Sequence, residues 1–253
     1  MVSKLTETTL LILGHGSSKH PDSSASVRRH TEILARKGCF ADVRCAFLKE
    51  DPLIDDCLDG LEHREVMIVP DFLAEGYFTR KVIPAKLASQ AAWKHCHMTP
   101  PVGSHPMMSD LIQESAQALL GEWLMDETSL LVIGHGSGKN PCSKQTLLHH
   151  LGELRASASW GQVADLWLEE APIVKDWQQV AKHRQVVVVP YLLNDGQHGG
   201  WDIPADLGIG ADAQPQEHTH ELGKHQVRLA PALGTSVRFA DAIAEFARVW
   251  GGS

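Results

Sequence analysis

Residues 120 positions apart in this 253-residue chain are repeatedly the same, and that regularity constrains the fold more than any other feature. Gly14 and Gly134, His15 and His135, Ser17 and Ser137, Lys19 and Lys139, Pro21 and Pro141, Glu50 and Glu170, Pro52 and Pro172, His63 and His183, Arg64 and Arg184, Pro70 and Pro190, Gly76 and Gly196, and Pro84 and Pro204 all fall in one ungapped register. Glycines, prolines and histidines do not recur at a constant offset by chance, and the period is far too long for a solenoid, so the chain reads as a duplicated domain. The copies diverge after Leu207, where Gly208 to Val227 is longer than its counterpart and carries His218, His220 and His225 as loop residues. Helices expected from Met108 to Met125 and from Val237 to Val249 close the two copies, which places the domains at residues 1–125 and 126–253.

Within each copy, short apolar runs alternate with helical stretches. Leu10–Leu13, Ala41–Phe47, Val66–Val69 and Met98–Val102 read as strands, and Ser24–Gly38, Pro52–Leu61 and Val82–His95 as helices. The second copy repeats the order with strands at Leu130–Ile133, Val163–Trp167 and Val186–Val189 and helices at Gln145–Leu154 and Ile173–Ala181. Apolar strands that alternate with helices belong to parallel sheets covered on both faces, so an α/β class follows. Open sheets of this kind bind ligands beyond the carboxyl ends of their strands. The Gly-His-Gly-Ser loops, the turns at Glu50 and Glu170, and the loops after Pro70 and Pro190 all follow strands and should gather on that edge.

Composition excludes several classes of function. A formal charge of −8 disfavours nucleic acid as a partner, since such proteins carry a basic face. No apolar run approaches the roughly 18 residues that span a bilayer, and the first residues have no signal-peptide pattern, so the expected location is the cytoplasm, away from membranes. The five cysteines are scattered without C-x-x-C spacing, which argues against a disulfide framework or a thiolate zinc site. Fifteen histidines are a high count, and imidazole is a common ligand of first-row metals.

In the second copy, the carboxyl edge collects His135, His198 and either Glu169 or Glu170. Two neutral imidazoles with a carboxylate suit cobalt, iron, nickel or zinc. In the first copy His15 is kept, but Phe78 stands where the second copy has His198, so the metal chemistry is expected in the second half. Neither copy has the Gly-Lys-Ser/Thr ending of a phosphate loop, and the histidine of Gly-His-Gly-Ser occupies the place where a nucleophile elbow needs serine.

Gly134-His135-Gly136-Ser137, Val189-Pro190-Tyr191-Leu192-Leu193, Gly196-Gln197-His198 and Asp202-Ile203-Pro204 together resemble the class II tetrapyrrole chelatases, in particular the CbiX-type sirohydrochlorin cobaltochelatases. The resemblance runs over nearly the whole chain as two tandem copies. It implies two flavodoxin-like lobes with a cleft between them, and insertion of a divalent metal, cobalt or iron, into a sirohydrochlorin-like ring. That metal is a substrate, and no organic cofactor is expected. His135 and His198 would hold the metal or accept pyrrole protons, with Glu170 or its neighbour Glu169 as relay. His15, Phe78, Lys139, Tyr191 and Trp201 are the residues expected against the ring. Two lobes of one chain imitate a dimer, so a monomer is expected. Cobalt is the favoured ion, and the alternatives are a sirohydrochlorin ferrochelatase or a metal or tetrapyrrole carrier without turnover.

Overall fold

The computed structural model describes residues 5–18, 21–138, 141–210 and 218–250. Two compact units account for the chain: Met1–His105 with Ser236–Ser253, and Pro106–Thr235, called unit 1 and unit 2 below.

Unit 1 is built on four parallel strands in the order β2-β1-β3-β4, namely β1 (Thr9–Gly14), β2 (Asp42–Phe47), β3 (Val66–Pro70) and β4 (Cys96–Met98). Every residue of β1 and β3 is buried, which explains why their sequences are continuously apolar rather than alternating. Helix α1 (Ala25–Lys37) buries Ser26, Val27, His30 and Leu34, a helical spacing, and ends where Gly38 takes a left-handed φ of 63° and returns its N–H to Ala35 O. The opposite face of the sheet is filled by Ile54, Leu58, Leu61, Ile83 and Leu87. Two expected helices are shorter than the pattern suggested. Pro52–Leu61 holds only a 3-10 turn at Ile54–Asp56, and Val82–His95 divides into α2 (Ile83–Ala88) and a 3-10 turn at Ala91–His95.

Unit 2 repeats this plan with β5 (Thr128–Gly134), β6 (Gln162–Trp167) and β7 (Gln185–Pro190), all parallel. The stretch expected to be an inserted loop also contributes strands: β8 (His220–Leu222) and β9 (His225–Leu229) form a hairpin, with β9 parallel to β7 and β8 antiparallel at the margin, giving the order β6-β5-β7-β9-β8. His225 is therefore a strand residue, 1% exposed, with Nδ1 on the carbonyl of His183 at 2.9 Å, not a solvated loop histidine. Helices α4 (Pro141–Ala156), α5 (Trp177–Val180) and α6 (Ile203–Leu207) cover the sheet.

The helices that close the two repeats are exchanged. Helix α3 (Met107–Gln117) comes at the end of the first repeat and belongs to unit 2, where Ser109 Oγ donates to Glu153 Oε2 on α4 at 2.6 Å. Helix α7 (Val237–Trp250) ends the second repeat and belongs to unit 1. It buries Phe239, Ala240, Ile243, Phe246 and Ala247, stacks Phe239 on His30 of α1 at 5.3 Å, and pairs Asp241 with Lys37. The repeat period puts a boundary at 125/126, whereas packing divides the chain at 105/106 and 235/236.

Candidate functional site at the carboxyl edge of unit 2

Parallel pairing fixes where the loops emerge. Gly134 lies beside Trp167 and Ile133 beside Pro190, so the loops after β5, β6 and β7 leave the sheet together. Gly134 has to be glycine, since a Cβ there would lie 2.4 Å from the Trp167 ring. Gly136 turns the chain with a φ of +76°, a conformation that L side chains rarely adopt.

Across this edge the rings of His135 and His198 meet edge to face, with centroids 4.9 Å apart and planes at 85°. His135 Nδ1 is 2.9 Å from the carbonyl of Gly136, and His198 Nδ1 is 2.7 Å from Asp202 Oδ2. A carbonyl oxygen can only accept, so the His135 proton sits on Nδ1 and its Nε2 presents a lone pair. An ionised Asp202 imposes the same tautomer on His198.

The reach from His198 to Asp202 depends on an unusual turn. Pro84 and Pro204 are each second in their helix and have no N–H to give. The turn before each widens into a π-turn: Ile83 N–H bonds Phe78 O, and Ile203 N–H bonds His198 O, five residues back. Such turns gather at functional sites. Here one brings an imidazole and a carboxylate four residues apart into contact.

The two candidate carboxylates divide. Glu170 accepts from Ser137 N–H at 3.2 Å and pairs with Lys144 at 3.1 Å. Glu50 does the same in unit 1, taking Ser17 N–H at 2.8 Å and Arg28 at 3.0 Å. Burial works against Glu50's charge, but hydrogen bonds from Ser24, Ser17 and Arg28 outweigh it and hold the carboxyl below its ordinary range. Both units keep this arrangement, which ties the carboxylate to the backbone of the Gly-His-Gly-Ser loop. The carboxylate beside the imidazole is that of Glu169, with Oε2 3.9 Å from His135 Nδ1.

The remaining expected residues are distributed as follows. Unit 1 reproduces the ring geometry without the chemistry: His15 and Phe78 meet at 4.9 Å and 83°, and His15 Nδ1 lies 2.9 Å from Gly16 O. Trp201 is 60% exposed on the π-turn of His198, open to a ligand. Tyr191 is 3% exposed and packs near His150, so it serves the core instead of facing a ring; burial pushes its phenol far up in pKa. His150, expected at the surface, is itself 1% exposed. His183 holds Ser129 Oγ at 3.1 Å, a structural bond. Lys139 lies outside the described residues. Among the described residues no group of three or more His, Cys, Asp or Glu side chains gathers to hold a metal, and no helix is long and apolar enough to cross a membrane.

Asp202 was legible in the sequence only as part of Asp-Ile-Pro. Its spacing of four from His198, with Val82 at the matching place after Phe78, is the signal that could have found it as the partner of the imidazole.

Residues 9–119 and 129–248 each match the CbiX family profile, one match per repeat. A relative from Halobacterium salinarum, described as a "Probable sirohydrochlorin cobaltochelatase", is 32% identical over 260 residues covering 93% of this chain and 89% of the relative. Among solved structures, DR2241 of Deinococcus radiodurans, a multi-domain protein described as structurally similar to chelatases, aligns with a TM-score of 0.78 at 22% identity. That alignment takes in 96% of this chain and 55% of DR2241, so this chain spans about half of its length. CbiX, described as the terminal enzyme for biosynthesis of siroheme in denitrifying bacteria, aligns with a TM-score of 0.70 at 24% identity over 95% of this chain and 98% of that one.

Proposed function

The chain belongs to the CbiX family and is a metal chelatase, and from this premise we propose that it inserts a first-row divalent ion, cobalt in preference to iron, into sirohydrochlorin or a closely related tetrapyrrole, with the chemistry in unit 2. The observation that carries this reading is the edge-to-face pair of His135 and His198, each with Nδ1 engaged and Nε2 left to bind.

Insertion makes three demands on a protein. The ion must shed water, the ring must lose two pyrrole protons, and the ion must then be released to the ring nitrogens. Two imidazoles meet the first and third demands, because they replace water on the ion yet leave most of its coordination positions to the macrocycle. Asp202 and the Gly136 carbonyl fix the tautomers, so no proton has to leave Nε2 before metal binds. Glu169, exposed and beside His135, is the group suited to carry pyrrole protons to solvent. Glu170 supports it indirectly by holding the loop. The open indole of Trp201 offers a stacking surface next to His198.

Cobalt is favoured by the relative's description, whereas the siroheme description of CbiX speaks for iron. The same ligands serve either ion. The test follows the visible spectrum of sirohydrochlorin on addition of Co²⁺ or Fe²⁺. The protein should accelerate the change, and His135→Ala and His198→Ala should abolish the acceleration. Glu169→Gln should slow it with the thermal midpoint unchanged, and Glu170→Gln should lower the midpoint. Full activity in His198→Ala refutes the assignment, and ring binding without acceleration makes the protein a carrier.

A further inference from the structure

The loop that carries His198 is fastened to the segment at 230–235 by one bond more than the repeat provides. Both units dock the equivalent segment through the backbone. In unit 2 Ala230 N–H bonds Val188 O at 2.8 Å and Gly234 N–H bonds Leu192 O at 2.9 Å; in unit 1 Thr99 N–H bonds Ile68 O at 2.9 Å and Gly103 N–H bonds Phe72 O at 3.0 Å. This register makes Ala232 the counterpart of Pro101. Ala232 N–H donates to Asp195 Oδ1 at 2.7 Å. Pro101 has no N–H to donate, and Glu75, which stands where unit 2 has Asp195, pairs with Arg80 Nε at 2.8 Å.

Asp195 also opens the turn of His198. Its carbonyl accepts the N–H groups of Gly199 and Gly200, the latter at 3.0 Å. The corresponding turn of unit 1 has a brace of its own, since Thr79 Oγ1 accepts from Gly76 N–H at 2.9 Å and reaches Gly76 O at 3.2 Å. Unit 2 has Gly199 at that place, with no side chain to offer. A metal held by two imidazoles needs both rings in place to roughly 0.5 Å. Asp202 fixes the tautomer of His198 but lies on the same turn, so it cannot anchor that turn to the sheet.

We propose that Asp195 is a positioning residue for His198: its carboxylate ties the start of the turn to Ala232 N–H and so sets where the imidazole stands relative to His135. That His198 binds metal rests on the function proposed above; that Asp195 positions it does not.

The test uses the full chain and two readouts, calorimetric titration with Co²⁺ and the imidazole signals of His198 in nitrogen NMR of the metal-free protein. Asp195→Ala removes the acceptor and Ala232→Pro the donor, at a backbone position whose counterpart in unit 1 is already proline. Each should weaken Co²⁺ binding about tenfold, the lower end of what loss of a supporting partner costs a metal ligand, and shift the His198 signals. The two together should do no more than one, since they break the same bond. Asp195→Asn keeps an oxygen acceptor and should bind Co²⁺ as the wild type does. Where His198→Ala abolishes binding, unchanged Co²⁺ affinity in Asp195→Ala overturns the proposal, even if the thermal midpoint falls, and so do losses that multiply in the double variant. If His198→Ala binds Co²⁺ as tightly as the wild type, the metal assignment fails. His198 signals left unshifted by Asp195→Ala then overturn the positioning role, and shifted ones sustain it.

Discussion

Asp71 offers a sharp quantitative test of the physics of unit 1. It follows β3 directly, is 1% exposed, and neither of its carboxyl oxygens has a hydrogen-bond partner among the described residues. Burial alone raises its pKa from the ordinary 3.8 to about 7. The folded state therefore binds this proton more tightly than the unfolded chain does. Between pH 4 and pH 7 folding takes up a proton, so stability contributed at low pH is lost as pH rises through that window and levels off above it. At about 1.4 kcal/mol for each pH unit between 3.8 and about 7, the loss comes to about 4 kcal/mol. Asp71→Asn keeps the side-chain shape and cannot ionise. Urea unfolding of both proteins at intervals from pH 4 to pH 8 should give similar stability at the acid end. The variant should become progressively more stable than wild type, gaining about 1.4 kcal/mol per pH unit until the curves run parallel above pH 7. A constant difference across the whole range would refute the reasoning, because it would mean that Asp71 does not change its protonation on unfolding.

Two further outcomes concern the carboxyl edge of each unit. Asp202→Ala frees His198 to adopt the other tautomer, and calorimetric titration should give Co²⁺ binding weakened by about 10- to 100-fold with the fold retained, as is usual when the partner of a metal-bound imidazole is removed. Phe78→His alone should add no second metal site, since Val82 and Lys49 stand where Asp202 and Glu169 stand in unit 2. Combined with Val82→Asp and Lys49→Glu it should, and the Co²⁺ stoichiometry at equilibrium dialysis should rise from one to two per chain.

Much of the architecture can be read locally. Continuous apolar runs mark β1, β3, β5 and β7 as strands of a sheet covered on both faces, and the offset of 120 aligns the two copies. His135 and His198 were legible for the same reason: each directly follows a strand or its loop, and parallel strands deliver their loops to one edge. Side chains that depend on neighbours distant in sequence were not legible. Glu169 and Glu170 are adjacent and chemically alike, and only the position of the Ser137 N–H and Lys144 separates the clamp from the carboxylate beside His135. Tyr191 reads as a ring-facing aromatic until burial places it beside His150. The hairpin of β8 and β9 was missed because its histidines and polar residues resemble a loop, and the burial of His225 depends on a carbonyl 42 residues away.

By itself the sequence determined the duplication, the parallel α/β plan, the edge at which the Gly-His-Gly-Ser loops gather, and the presence of Phe78 in the first copy where the second has His198, because each of these is set by local pattern or by register. Tertiary structure decided which sheet each closing helix serves. The apolar stripe of α7, with Phe239, Ile243 and Phe246, suits a sheet of either copy, and it is the packing of Phe239 on His30 and the pairing of Asp241 with Lys37 that commit it to unit 1. Hydrophobic burial favours covering a sheet but does not specify which one. That choice is made by directional contacts between residues some two hundred positions apart, and no local pattern records them.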